Sequence, residues 1–123
     1  MGLKPKSQPY SFGQSLKAAA KGIGYTVRKE RHFRFHLGAA LAVVLFGLVL
    51  GVSLRDWLFL IYAIGCVLVT ELLNTALERA VDLASPEYKE LAGIAKDIAA
   101  GAVLVAAIQA VFIGVLIFGP YIF

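Results

Sequence analysis

Between residues 98 and 123 the chain carries no charged side chain, and two further charge-free runs, 37–54 and 57–70, precede that one. As a helix the 37–54 run alone would be about 27 Å long, close to the hydrocarbon thickness of a bilayer. At 123 residues and a mean hydropathy of +0.78 the chain is too apolar for a soluble domain. It is also too short for several domains. The expectation is one all-α integral membrane domain over residues 1–123, with three transmembrane helices at about 35–54, 57–84 and 91–118. Gly47 and Gly51 in the first span, and Ala102, Ala106, Ala110 and Gly114 in the third, are spaced to let helices approach closely. Small-residue faces of this kind invite association. The polar Arg55, Asp56 and Trp57 are read as the turn between the first two spans.

The basic residues lie at the other end. The first 34 residues hold eight of the twelve Lys and Arg, namely Lys4, Lys6, Lys17, Lys21, Arg28, Lys29, Arg31 and Arg34, against the one acid Glu30. Next to membrane spans such a surface suits anionic lipid headgroups better than nucleic acid. The positive-inside rule puts the N-terminus in the cytoplasm, and no cleavable signal is expected. Residues 1–10, with Pro5 and Pro9, read as a flexible tail. Over 11–29, Phe12, Leu16, Ala19, Ile23 and Val27 recur every three or four positions among Gln14, Lys17, Lys21 and Arg28, the pattern of an amphipathic surface helix. The single Cys66 lies in an apolar run, where it reads as a small buried side chain that cannot form an intrachain disulfide.

One stretch does not suit mere membrane anchoring. In the segment ELLNTALERAVD (71–82), a helix would align Glu71, Asn74, Thr75, Glu78 and Asp82 within roughly 60° of one line. Carboxylates one or two turns apart repel and are costly near lipid, so a cation or a proton must compensate them. Glu71 falls about 21 Å from Trp57 along the axis. That places it near the cytoplasmic edge of the hydrocarbon, with Glu78 and Asp82 rising toward water. A charged, soluble co-substrate can meet a lipid substrate only at such a boundary. Glu30 read by itself is an interfacial acid paired with Arg31 or Arg34, and His32 and His36 are read as packing and headgroup contacts.

The run Glu-x-x-Asn-Thr-Ala-x-Glu-x-x-x-Asp, followed by SPEYKELAGIAKD with its Lys96-Asp97 pair, resembles the signature of the small integral-membrane diacylglycerol kinases of bacteria. That family includes the undecaprenol kinases of Gram-positive bacteria, and the resemblance runs from about Phe12 onward. The Glu-Arg-x-Phe-Arg-x-His run from Glu30 to His36 is similar to the polyprenol branch. The resemblance implies an ATP- and magnesium-dependent kinase acting on a lipid alcohol, undecaprenol in preference to diacylglycerol, in the bacterial cell membrane. It also implies a homotrimer with sites between subunits. Glu71 matches the catalytic base and Asn74 a group that orients it. Glu30 and Glu78 match the metal ligands, and Asp82, Glu87, Tyr88, Lys89, Lys96 and Asp97 the nucleotide contacts. No Walker A loop, Gly-rich kinase loop or His-Arg-Asp loop occurs. Phosphoryl transfer here would therefore need metal, a cation and a carboxylate base from this other set. A small proton-coupled transporter built around Glu71 is the competing class, although its acid would belong nearer the midplane.

Overall fold

The computed structural model describes residues 9–123, so all but the last two positions of the expected tail lie outside the described residues. Four helices follow in order: α1 (Phe12–Lys29), α2 (Arg31–Leu50), α3 (Leu54–Ala84) and α4 (Glu90–Ile122). The last three are long and apolar enough to cross a membrane. In lipid the backbone must satisfy its own hydrogen bonds, which a helix does and an irregular chain does not. The expected surface helix and three spans are all present.

The helix ends follow from local chemistry. Ser11 starts α1 with a capping box: its hydroxyl accepts from the Gln14 N–H at 3.2 Å, and Gln14 Oε1 accepts from the Ser11 N–H at 2.9 Å. Phe12, Leu16 and Ile23 are exposed on α1, as suits a helix resting on an apolar medium. Glu30, in an extended conformation, is the single residue between α1 and α2. The guanidinium of Arg34 donates back to the carbonyls of Val27 (2.8 Å) and Arg28 (3.0 Å), two of the carbonyls that the end of α1 leaves without helical partners.

The turn between α2 and α3 corrects the expectation from sequence. It lies at residues 51–53, while Arg55, Asp56 and Trp57 already belong to the first turns of α3. Gly51 takes the left-handed conformation, φ 64°, that closes α2. Ser53 then opens α3 by accepting from the Asp56 N–H at 3.1 Å. Gly51 is therefore a helix stop, and Gly47 makes room for a side chain, not for a second backbone. A Cβ on Gly47 would come within 2.7 Å of the Trp57 ring. The third span also ends later than expected, since α4 continues through Pro120 to Ile122, and the Phe123 N–H still closes on the Gly119 carbonyl at 2.9 Å.

Helix α3 is the centre of the molecule. In its most apolar window 28% of residues are buried, against 11% in α2 and 6% in α4, so the latter two present most of their apolar side chains outward, as lipid-facing spans do. Val52, Leu60 and Ile117 form a small core, with Val43, Trp57 and Phe118 packed on it. The buried face of α3 runs Leu60, Ala63, Val67, Glu71, Thr75 at steps of three or four. One helical stripe thus begins apolar and ends polar, and its change of character falls at Glu71.

Candidate active site

Glu71 is 5% exposed and Thr75 4%. An ionised carboxylate buried in this way is costly unless a partner compensates it. The partner is His36 of α2, whose Nε2 lies 3.3 Å from Glu71 Oε1. When protonated, the imidazole makes this an ion pair. His36, read from sequence as a headgroup contact, thus faces the acid. Neither residue bears its partner's signature in the local sequence, because the contact joins different helices.

One turn further along α3, Asn74 Nδ2 donates to Glu78 Oε1 at 3.1 Å. Asn74 Oδ1 is buried with no donor among the described residues, and a buried acceptor that stays unpaired costs about 1–3 kcal/mol. The other oxygen of Glu78 lies 3.8 Å from Arg79 Nη1, and Arg79 Nη2 contacts Glu30 Oε1. Arg79 Nε donates to the Tyr25 hydroxyl at 3.0 Å, and its guanidinium sits 5.7 Å from the centre of the Tyr25 ring. Glu30 is therefore not paired with Arg31 or Arg34. It turns to α3 and shares one cation with Glu78.

Among the described residues no cluster of three or more His, Cys, Asp or Glu could hold a metal ion. Magnesium does not need one, because it takes one or two carboxylates and completes its shell with water and substrate phosphates. Glu30 and Glu78 face a common cation, and the unfilled oxygen of Asn74 belongs to the side chain bonded to Glu78. These are hard oxygen donors, so the set fits magnesium and does not suit a metal that prefers sulfur or imidazole.

The remaining expected residues separate into a pair and a loop. Asp82 Oδ1 accepts from Lys96 Nζ, joining α3 to the start of α4, with both side chains partly in the open. Asp97 is exposed beside them. Glu87, Tyr88 and Lys89 lie exposed in the connection between α3 and α4, where the Ser85 hydroxyl donates to the Glu87 carbonyl at 2.9 Å. No hydrogen bond or ion pair joins these three, or Asp97, to Glu71 or Glu78.

Beside the polar groups lies an apolar groove of about 600 Å³ between α2, α3 and α4. His36 and Phe35 line one part of it, Leu60 and Val67 another, and Phe118 and Phe123 the far part. His36 thus belongs both to the groove and to the surroundings of Glu71. The small-residue face of α4 is divided: Ala106 is buried, Ala110 and Gly114 line this groove, and Ala102 lines a second, smaller one with Thr70 and Asn74.

A family model, prokaryotic diacylglycerol kinase, matches residues 17–118. The chain belongs to that family. It is accordingly a lipid kinase in a membrane, with ATP as the phosphoryl donor, and the transporter reading falls away. The chain is 45% identical over 109 residues to an undecaprenol kinase of Bacillus subtilis, covering 89% of each chain. To a diacylglycerol kinase of Synechocystis it is 44% identical over 101 residues, covering 81% of this chain and 58% of that one. To a diacylglycerol kinase of Escherichia coli it is 38% identical over 103 residues, covering 81% and 84%.

Proposed function

We propose that the chain transfers the γ-phosphoryl group of ATP to the hydroxyl of undecaprenol, giving undecaprenyl phosphate, with magnesium as cofactor. The observation that carries this reading is the position of His36, which touches the buried carboxylate of Glu71 and also lines the apolar groove. A lipid tail in that groove would present its terminal hydroxyl to Glu71. The similarity to the Bacillus subtilis undecaprenol kinase along 89% of both chains supports the choice of lipid.

In this mechanism Glu71 takes the hydroxyl proton as the lipid oxygen bonds to the γ-phosphorus and the bond to the β-phosphate oxygen breaks, releasing ADP. Asn74 holds Glu78 in place, and Glu78 and Glu30 would hold magnesium, which supplies charge neutralisation on the phosphates. Lys96, once free of Asp82, provides a cation for the phosphate chain, and Asp82, Glu87, Tyr88, Lys89 and Asp97 would contact the rest of the nucleotide. The basic helix α1 would rest on anionic lipids, with the N-terminus and the site cytoplasmic. The outward apolar faces of α2 and α4 support a homotrimer, in which a neighbouring copy completes the nucleotide site.

The test is a comparison of initial rates on undecaprenol and diacylglycerol in matched mixed micelles with ATP and magnesium. A clear preference for undecaprenol is expected. A preference for diacylglycerol would overturn the choice of lipid and leave the roles of Glu71, Glu78 and Glu30 standing.

A further inference from the structure

We propose that Arg79 is an exchangeable counter-cation, which occupies the Glu30 and Glu78 carboxylates in the resting protein and must be displaced before a divalent metal can bind there. This rests on the metal role proposed above for those two acids. Arg79 holds the two carboxylates very differently. It contacts Glu30 directly, but its nearest nitrogen to Glu78 is 3.8 Å away, beyond hydrogen-bond reach. The side chain is 41% exposed, so no packing locks it there.

A second set of contacts gives the guanidinium somewhere to remain. Its Nε donates to the Tyr25 hydroxyl and its central carbon lies 5.7 Å from the centre of the Tyr25 ring, contacts that need neither carboxylate. Release from the acids would therefore leave the charge hydrogen-bonded to Tyr25 of α1 and near its ring. Guanidinium is charged at every accessible pH, so it cannot leave by losing a proton. Two carboxylates and Arg79 sum to one negative charge. A divalent cation placed on the same oxygens would lie against the guanidinium, and like charges a few ångströms apart repel even in a partly aqueous setting. The two cations therefore exclude one another. Without metal Arg79 lowers the charge of the acid pair from two to one, and when metal arrives it withdraws to Tyr25.

The test is direct binding of Mn²⁺, used as the probe for a hard divalent cation, to purified protein in detergent micelles without nucleotide. It is read from the loss of the free-ion paramagnetic resonance signal. Arg79→Gln is expected to bind Mn²⁺ about three- to fivefold more tightly than the unsubstituted protein, the upper end of the scale for a part-exposed ion pair. Arg79→Lys, which keeps the charge, is expected to stay within about twofold of the unsubstituted protein on the same scale. A strut that merely ties α1 to α3 would give weaker or unchanged binding in Arg79→Gln, and either result overturns the proposal while leaving the metal site in place. If Arg79→Gln fails to fold, the Nη–H resonances of Arg79 in the unsubstituted protein take its place, since those nitrogens face Glu30 and Glu78 and Mg²⁺ should shift them in step with binding. A resonance that stays put while the metal binds overturns the proposal. Absence of Mn²⁺ binding in every form, with and without ADP, would remove the metal role of Glu30 and Glu78 itself.

Discussion

The two ends of α3 are built from similar side chains and behave differently. At its N-terminal end Asp56, Ser53 and Tyr121 form a closed knot. The Tyr121 hydroxyl donates to Asp56 Oδ2 at 3.0 Å and accepts from the Ser53 N–H at 3.2 Å, while the Ser53 hydroxyl accepts from the Asp56 N–H. Three hydrogen bonds there link the three residues to one another. At the other end Glu71, Asn74, Glu78 and Asp82 are paired unevenly: one amide oxygen has no donor among the described residues, one ion pair spans 3.8 Å, and the close Lys96–Asp82 pair is partly open to solvent. A closed polar network fastens helices together. An open one retains bonding capacity for something that is not part of the chain.

Glu71→Gln should divide the two ends most sharply. With Glu71 as the proposed base, its loss should lower turnover about 10²- to 10⁴-fold, the usual contribution of a general base. Nucleotide binding should be nearly unchanged, since no metal or phosphate contact is lost. Asp56→Asn at the opposite end should leave turnover per folded molecule within about twofold and reduce stability by roughly 1 kcal/mol. Parallel rate and nucleotide-binding measurements on both variants check the contrast. Near-full activity in Glu71→Gln would mean that another group is the base.

Within the open end, Glu78→Gln should act on affinity. The amide oxygen can still accept from Asn74, so the local structure should survive, while one negative charge facing the metal position is lost. The half-saturating magnesium and nucleotide concentrations should rise about tenfold, equivalent to about 1.4 kcal/mol of binding. A fall in turnover at saturating magnesium and ATP, with unchanged affinities, would show that Glu78 acts in the chemical step.

The fold and half of the site were legible in the sequence for a common reason. Spans follow from charge-free runs, and the alignment of Glu71, Asn74, Thr75, Glu78 and Asp82 follows from helical periodicity, so both are properties of neighbouring residues. The other half depends on contacts distant in the chain. Arg79 reaches Glu30 across 49 positions and Tyr25 across 54. Nothing within a few residues of Tyr25 marks it as the resting place of a guanidinium, and His36 gives no local sign that it faces Glu71. The charges of Arg55 and Asp56 point to a turn after α2 that the structure puts earlier, at Gly51 to Ser53. Backbone geometry decided the matter: a left-handed glycine and a serine cap mark helix ends more directly than polarity does.

Gly47→Ala probes the closed end by packing. Its new methyl would have to share space with the Trp57 ring, at 2.7 Å from the nearest ring atom. Overpacking of this kind costs about 1–3 kcal/mol. Thermal unfolding in micelles should occur at a lower temperature, with turnover of the remaining folded protein retained. An unchanged midpoint would mean that the indole moves aside freely.

The smallest effect is expected from Tyr121→Phe. The substitution keeps the ring and removes the hydroxyl, so it deletes two hydrogen bonds and leaves packing intact. Both bonds are solvent-accessible, and water can take over at Asp56 Oδ2 and at the Ser53 N–H. The loss should therefore lie near the low end of the range for hydrogen bonds, about 0.5–1 kcal/mol. If this knot only fastens the end of α4 to the start of α3, the variant should unfold slightly earlier and phosphorylate lipid at the original rate. The groove gives the measurement a second use, because Gly119, Ile122 and Phe123 line its far part and flank Tyr121. In the proposed mode of binding, loosening that turn would disturb the far reaches of a long lipid before the hydroxyl proposed to meet Glu71. A rise in KM for undecaprenol with kcat unchanged would show that the closed end, too, takes part in holding the substrate.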